Sequence, residues 1–271
     1  MINPFEKQQE SSSEIIEVGK ELSEKLEQIR QSRIRPETFR GIWLFADEEI
    51  DSDLAFVERK EEEFRKQSEF QPPEQAVIRK NADILEVMLP MVVQDFNWLG
   101  KNTNLIYTSR YDDIARGIDS VAQFMEPNEA FNVGMEIDFT SSEEEMKDKI
   151  MRIGSRIESG QISSVKYFDS PQTGKKKEME MPKIAFGAPM RDMNEFVSVV
   201  AEAYLGKKRE SAKREIQNHK LKNKFIELTA KQLQEFGTLA TKAGHRDNAK
   251  LHSDVLERFK QRGLIISHHY F

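Results

Sequence analysis

Three aspartates stand at positions where strand pairing could bring their carboxylates together. Asp119 and Asp138 each interrupt an apolar, β-prone run, and Asp113 lies shortly before them in the segment YDDIARG. Burying a carboxylate in an apolar strand is costly unless the carboxylate has a partner. Convergent carboxylates suit Mg²⁺ or Mn²⁺, which prefer hard oxygen ligands. We therefore predict that Asp113, Asp119 and Asp138 form a metal site, where the ion activates water and neutralises charge on a phosphate oxygen.

Each of these acids also has a plainer interpretation. Asp119 and Asp138 can be strand-end acids that face water or pair with a nearby arginine. Asp113 suits an ordinary Asx turn. Glu136 shares a strand face with Asp138, because side chains alternate along a strand, so it is a rival metal ligand. Lys166 lies in a strand run, where a lysine is expected to keep its ammonium at the surface.

The spacing of apolar residues predicts the elements that position these acids. A helical period over 74–99, with a kink or break at Pro90, precedes them. Tight turns then join three short β-prone runs, which favours an antiparallel meander. A capping box of Ser142 and Glu145 begins a helix that ends at Gly160. The predicted strands are 105–108, 118–124, 131–140, 162–168 and 183–189, with a polar turn over 170–182 and a helix from 192 to 205.

This order of elements favours a mixed α/β fold, with a central mixed β-sheet and flanking helices. The dipeptide Pro72-Pro73 punctuates the chain before the first of these elements. We therefore predict three regions. They are a charged helical N-terminal region at 1–71, an α/β core at 72–206 and a basic helical C-terminal region at 207–271.

Two charged segments flank the predicted core. Ten acids and four bases give residues 46–69 a net charge of −6, which predicts a solvated helix or a partner-binding arm. Eight bases and two acids give residues 207–224 a net charge of +6. The opposite charges would allow the two segments to pair with each other, with a protein partner or across a homodimer.

Local basic clusters are the candidate contacts to nucleic acid. The formal net charge of −6 excludes a generally basic surface, but binding responds to local potential. Cationic side chains bind a nucleic-acid backbone by releasing its counterions. The candidates lie in the polar turn and at the start of the C-terminal region: Lys175, Lys176, Lys207, Lys208, Arg209, Lys213 and Arg214.

Several other classes of protein are disfavoured by what the sequence lacks. The absence of cysteine excludes disulfides, thiolate zinc sites and cysteine nucleophiles. No Walker A, GxGxxG or GxSxG motif is present. The N-terminus has no apolar core of a signal peptide, and the longest apolar stretch, at 84–98, is interrupted by polar residues. We expect a cytoplasmic protein without a membrane span.

Residues 75–190 resemble the PD-(D/E)XK nuclease superfamily. The likeness lies in a helix that leads into a β-meander, an acid on the second strand (Asp119), an acid on the third (Asp138), and a following helix and strand. The superfamily's acid–any–Lys motif reads Asp138-Phe139-Thr140 here, so the strand lysine is missing. Some members supply this lysine from the following helix.

The resemblance implies a restriction-endonuclease-like fold and a set of catalytic residues. Lys149 and Lys147 are the candidates for the displaced lysine, and Lys149 is preferred because it flanks the apolar stripe of its helix. Glu86 matches the superfamily's helical glutamate. The implied activity is hydrolysis of phosphodiester bonds in DNA rather than RNA, with Mg²⁺ or Mn²⁺ as the cofactor. The missing strand lysine leaves open an inactive nuclease-like core that only binds nucleic acid or a protein.

Overall fold

The structure is a computed structural model that describes residue 27 and residues 31–69, 88–126, 130–138, 143–204 and 209–264. Several sequence predictions fall outside these residues. They are Glu86, Lys207 and Lys208, the Ser142–Glu145 capping box and the helix before residue 88. Within the described part, residues 88–95 are helical and include Pro90. No helix there combines the length and hydrophobicity that a membrane span requires.

A four-stranded mixed sheet forms the centre of the fold, as the sequence predicts. Its strands lie in the order β1-β2-β3-β6. The first three form an antiparallel meander, and β6 lies parallel to β3. Their bounds are β1 Thr103–Tyr107, β2 Ser120–Met125, β3 Ala130–Asp138 and β6 Lys183–Gly187.

A separate hairpin of two strands is inserted before β6. It pairs β4, Ser164–Asp169, with β5, Lys176–Glu180, in antiparallel fashion. The prediction of a polar turn over 170–182 is therefore wrong for its second half. The residues of β5 are mostly charged, but Met179 lies opposite Val165 and packs with the apolar cluster under the hairpin.

Helices cover the sheet, and in the described part of the chain four of them follow one another after β6. Besides the helical residues 88–95, the described α-helices are α1 Asp47–Glu69, α2 Glu143–Glu158, α3 Met190–Tyr204, α4 Arg209–Gln217, α5 Lys220–Lys242 and α6 Arg246–Gln261. The basic C-terminal segment breaks between α4 and α5, where His219 accepts a hydrogen bond from the Leu221 N–H at the start of α5.

The two faces of the sheet are buried against different elements. One face packs against the C-terminal helices, so the core continues across the predicted boundary at residue 207. This core includes Phe124, Val133, Met135, Phe186, Phe196, Phe225 and Phe259. On the other face, Val121 packs against Val165 and Phe168 of the hairpin. The apolar stripe of α2 packs beside it, because Ile153 and Ile157 contact Ala185 of β6.

Helix α5 also closes the outer edge of the sheet. Gln232 accepts a hydrogen bond from the Ala185 N–H at 2.9 Å and donates one to the Ala185 carbonyl at 2.7 Å. The side-chain amide of Gln232 thus forms hydrogen bonds with both the N–H and the carbonyl of Ala185, which lies on the edge strand. Unpaired strand edges favour aggregation, so this contact both holds α5 in place and protects β6.

Helix α1 is attached to the hairpin rather than fully solvated. Ile50 and Asp53 are buried on its inner side. Lys166 of β4, predicted as a surface lysine, is 6% exposed, and its ammonium lies 2.5 Å from both Asp53 and Glu49. Tyr167 donates a hydrogen bond to the same Asp53 oxygen at 2.7 Å. The prediction for Lys166 is therefore wrong.

A β-bulge in β4 explains why Lys166 points away from its expected position. The hairpin register shifts between Val165 and Phe168, so one extra residue is accommodated on β4. The backbone N–H groups of Lys166 and Tyr167 donate instead to the carboxylate of Asp112, at 2.6 and 3.1 Å. The bulge directs both side chains toward α1.

Candidate active site

Two acids lie near each other where the antiparallel pairing of β2 and β3 begins. Ser120 lies opposite Met135, and the Asp119 N–H donates to the Met135 carbonyl at 2.9 Å. Asp119 and Ser120 therefore both lie beside Met135, as in a β-bulge, and Glu136 follows Met135 on β3. Burial lowers the pKa of Lys183, whose ammonium binds the carboxylate of Glu136, and the charge of Asp119 is among those that act to raise it. The structure therefore places Asp119 near the pair of Lys183 and Glu136, the rival ligand of the sequence analysis.

Two lysines bind the carboxylate of Glu136 from different elements. Lys183, at the start of β6, places its Nζ 2.7 Å from Oε2 and also donates to the Arg116 carbonyl at 3.0 Å. Lys149, from α2, lies 3.3 Å from Oε1. Lys183 is only 5% exposed. One carboxylate is thus shared by a buried and a partly exposed ammonium.

A tight turn before β2 makes room for this cluster. Residues Asp112–Arg116 form a π-helical turn that ends at Gly117, whose φ of 62° is in the left-handed region. A Cβ at Gly117 would lie 2.9 Å from the Lys183 Nζ and 3.6 Å from the Glu136 Oε2. Both its backbone conformation and its surroundings therefore favour glycine.

The electrostatic environment keeps Glu136 ionised. Burial acts to raise the pKa of Glu136, but the charges and hydrogen bonds of Lys183 and Lys149 outweigh it, so the pKa is lowered. Burial lowers the pKa of Lys183, and the charge of Glu136 opposes that effect only in part. Two carboxylates and two ammonium groups balance each other's charge at this point of the sheet.

Asp113 is not part of this cluster. Its Oδ2 is paired with Arg33 at 2.9 Å and with Arg110 at 2.5 Å. Within the residues that the structure describes, no three acidic or histidine side chains are grouped closely enough to hold a metal ion. The carboxylate of Asp113 thus has two cationic partners, whereas the side chain of Asp138 lies outside the described part.

The neighbouring Asp112 has the structural role that the sequence analysis missed. Asp112 is fully buried, and its burial raises the pKa of its carboxyl group. The hydrogen bonds to the carboxylate lower this pKa but do not offset the effect of burial. Ser109 donates to its carboxylate at 2.7 Å, in addition to the two N–H groups of the β4 bulge. Asp112 thereby fixes the turn that carries Arg116 and Gly117. The sequence did show two adjacent acids, Asp112 and Asp113, in the segment YDD. Which of the two is buried depends on the type of turn, which the sequence did not indicate.

Lys183 is the functional candidate that sequence reasoning did not find. It begins an apolar strand run and was read only as part of that strand. Its contact with Glu136 depends on the parallel pairing of β3 and β6, in which Lys183 lies beside Gly134. The superfamily resemblance directed attention to the following helix, and Lys149 from that helix does contact Glu136.

The remaining predicted site residues lie on β3, α2, the hairpin and α4. Asp138 is the last residue of β3 and pairs with Gly187, while its side chain lies outside the described part. Lys147 is exposed on α2. Lys176 donates to the Thr38 carbonyl at 3.0 Å and pairs with an acid of β4. On α4, Arg209 and Arg214 are exposed, and exposed Lys213 pairs with Glu210 at 2.9 Å.

Comparisons of the chain with protein-family models, curated proteins and solved structures find no match. The fold and the site therefore define a mixed α/β protein. Its candidate site is a cluster of acids and lysines around Glu136 of β3, near the start of β2. The likeness to the nuclease superfamily rests on the order of elements and on these few residues.

Proposed function

We propose that this chain is a metal-dependent phosphodiesterase that hydrolyses DNA. The observation that carries the proposal is the carboxylate of Glu136 shared by Lys183 and Lys149, with Asp119 near enough for its charge to act on Lys183. Acids at neighbouring strands with an adjacent lysine form the constellation that the nuclease resemblance implies. The acid on the third strand is Glu136 in this arrangement, with Asp138 two residues later on the same strand.

The order of elements supports the same proposal. An antiparallel meander is followed by a helix, and the chain then returns in a strand parallel to β3. A helix and a strand after the meander are also what the resemblance implies. The β4–β5 hairpin is inserted between that helix and strand, and it lies over the first part of the sheet.

Asp119 and Glu136 are the acids that would hold a magnesium ion in this proposal. Mg²⁺ is usually held by one or two carboxylates together with waters and substrate phosphates, rather than by a complete cage of protein ligands. A bound ion would supply activated water and charge neutralisation at the phosphate.

The lysines complete the chemistry of this arrangement. An ammonium beside the reacting phosphate stabilises the negative charge that develops on its oxygens. Lys183 is held in place by the Arg116 carbonyl and by Glu136, so its position costs little reorganisation. Lys149 reaches the same carboxylate from α2 and matches the displaced lysine of the resemblance.

A second candidate is a non-catalytic protein that binds nucleic acid or a protein partner through an inactive nuclease-like core. The specific observation that favours it is that both oxygens of Glu136 are already paired with lysines. A cluster that is neutral by itself needs no cation for stability, so the same residues can serve a purely structural purpose.

The test is hydrolysis of linear double-stranded and single-stranded DNA with Mg²⁺ or Mn²⁺. Wild type is compared with Asp119→Asn, Glu136→Gln and Asp138→Asn, and with Asp148→Asn as a control. Asp148 is an exposed acid on α2, so its loss removes the same charge away from the cluster. Metal-dependent cleavage that is lost in Asp119→Asn and kept in the control supports the enzyme. No cleavage by folded wild type would favour the binding protein.

A further inference from the structure

A pocket of about 300 Å³ lies between the sheet and the β4–β5 hairpin. Gln123 and Asn132 line it from β2 and β3, and Lys175 and Lys177 line it from the hairpin. Asn132 and Glu136 are four residues apart on β3, a separation of about 13 Å at 3.3 Å per residue. The pocket is therefore distinct from the candidate active site.

A relay of hydrogen bonds orients the polar groups of the pocket. Ser170 Oγ donates to Gln123 Oε1 at 2.8 Å, and Gln123 Nε2 donates to Asn132 Oδ1 at 3.1 Å. Both amide oxygens are thereby used as acceptors. Gln123 is 1% exposed and Asn132 is 7% exposed, so the relay is buried. Its last member, Asn132 Nδ2, is a donor without an acceptor among the residues that the structure describes.

The hairpin places one row of its residues toward the sheet. Lys177 lies opposite Phe168, and Met179 lies opposite Val165. Phe168 and Val165 pack against the sheet, so strand alternation puts Lys177 and Met179 on the same side. Lys176 belongs to the opposite row, where it donates to a carbonyl of the N-terminal region.

The positive charge of the pocket is not balanced by its own residues. Neither Lys175 nor Lys177 forms an ion pair with an acid in the described part of the chain. Glu126 is the acid that lines the pocket, and Arg258 already binds its carboxylate at 2.8 Å. The two lysine ammonium groups and the Asn132 amide thus offer hydrogen-bond donors, beside an apolar wall that includes Met125 and Met179.

We propose that this pocket binds a small phosphate-bearing organic anion of about the size of a mononucleotide. Lys175, Lys177 and the Asn132 amide would bind the phosphate, since charged donors form the stronger hydrogen bonds to phosphate oxygens. The thioethers of Met125 and Met179 would pack against a planar apolar group. The volume is at the lower end of that of small-molecule sites. The proposal does not depend on the proposed hydrolytic function.

Calorimetric titration in EDTA tests the pocket separately from any metal-dependent activity. The probes are AMP and dTMP, with adenosine and thymidine as the matched ligands without phosphate. Wild type is expected to bind the monophosphates saturably and the nucleosides at least about tenfold more weakly, because charged hydrogen bonds are lost. Lys175→Gln/Lys177→Gln and Asn132→Leu should each weaken monophosphate binding by about tenfold or more.

Lys176→Gln is the matched control, because it removes an ammonium between the two lysines from the other row of the hairpin. The dissociation constant of Lys176→Gln should stay within about twofold of that of wild type, well below the tenfold change expected for the other variants.

A 5′-phosphorylated oligonucleotide that competes with AMP would identify the end of a strand as the source of the phosphate. Failure to compete would identify a free nucleotide. The proposal is overturned if nucleosides bind as tightly as monophosphates, if nothing binds saturably, or if Lys176→Gln weakens binding as much as the double variant. Unfolding curves of each variant ensure that only folded proteins are compared.

Discussion

Two lysines of this protein are almost equally buried but have different surroundings. Lys166 attaches α1 to the hairpin, where Asp53 and Glu49 pair with its ammonium. Lys183 lies on the sheet itself, where it pairs with Glu136 across two parallel strands. Both form close ion pairs with carboxylates. The burial of a charged group therefore does not by itself distinguish a structural contact from a candidate active site.

The difference lies in what encloses each ammonium. Rings of Phe45, Tyr111 and Tyr167 lie between 5.3 and 5.4 Å from the Lys166 Nζ. Two carboxylates and three aromatic rings thus surround the single ammonium of Lys166, which suits a permanent contact between α1 and the hairpin. At Lys183 there are more cations than carboxylates in contact, because two ammonium groups share Glu136. A second acid, Asp119, lies near enough for its charge to act on Lys183, and no aromatic ring lies over the Lys183 ammonium in the described part of the chain.

The largest expected effect on stability is at the Lys166 cluster. Asp53→Ala leaves the buried ammonium with only the half-exposed Glu49, and removing one partner of a buried pair is strongly destabilising. We expect a loss of about 3 kcal/mol in the free energy of unfolding, measured with urea. Asp51→Ala on the same helix, which breaks an exposed pair with Arg40, should cost much less, because exposed ion pairs contribute little to stability. Equal losses in the two variants would contradict a buried structural cluster.

An intermediate effect is expected when Lys183 is replaced. Lys183→Met removes a hydrogen bond between charged groups, but Lys149 remains as a partner of Glu136. We expect a loss of about 2 kcal/mol, again from urea unfolding. A loss larger than that of Asp53→Ala would show that the Lys183 cluster is the main structural contact and would reverse the comparison.

The two lysines should also titrate on opposite sides of the ordinary lysine value. Burial alone would lower the pKa of Lys166, but hydrogen bonds and charges of Asp53 and Glu49 raise it above 10.5. For Lys183, burial prevails and lowers the pKa. NMR titration of the side-chain ε-carbons, assigned with Lys166→Met and Lys183→Met, measures both. A higher pKa for Lys183 than for Lys166 would contradict this explanation of the two shifts.

These directions have opposite consequences for stability. The raised pKa of Lys166 contributes stability that is complete below pH 10.5 and is lost as the pH rises through the folded value. Because the pKa of Lys183 is lowered, the unfolded chain binds that proton more tightly, so this residue makes stability increase with pH up to 10.5. The difference between wild type and each variant isolates the two contributions in urea unfolding at several alkaline pH values.

The smallest effect is expected at Lys149. Its side chain is partly exposed and lies 3.3 Å from Glu136, whose other oxygen keeps the shorter contact with Lys183. Lys149→Met should therefore change the free energy of unfolding by about 1 kcal/mol or less. If this substitution destabilised the fold as much as Lys183→Met, the two ammonium groups would be equivalent parts of one structural cluster.

Local patterns predicted the mixed sheet and its helices. Short β-prone runs joined by tight turns marked the meander, and the apolar stripe that includes Ile153 and Ile157 marked α2, because both patterns reflect burial. The second strand of the hairpin was missed because its stability comes from pairing with β4 and not from its own charged residues. Element order was enough to predict helices over a mixed sheet.

Positions within the site were harder to predict, because they depend on contacts between distant segments. Asp119 was singled out from the sequence, but its position relative to β3 depends on the irregular pairing before Ser120. Glu136, two residues before Asp138, is the β3 acid for which the structure describes contacts with lysines. Lys183 reaches Glu136 only through parallel pairing of strands far apart in the chain. The bulge that buries Lys166 is set by Asp112, more than fifty residues earlier.

The most direct test of the account measures DNA cleavage and unfolding on the same preparations of wild type, Asp119→Asn and Asp53→Ala. With Mg²⁺, Asp119→Asn should cleave linear DNA at least about 100-fold more slowly, which is typical for the loss of a group that stabilises the transition state. Asp53→Ala should unfold more readily but cleave at a rate close to that of wild type while folded. Undiminished cleavage by Asp119→Asn, or no cleavage by the folded wild type, would contradict the assignment of this cluster as an active site.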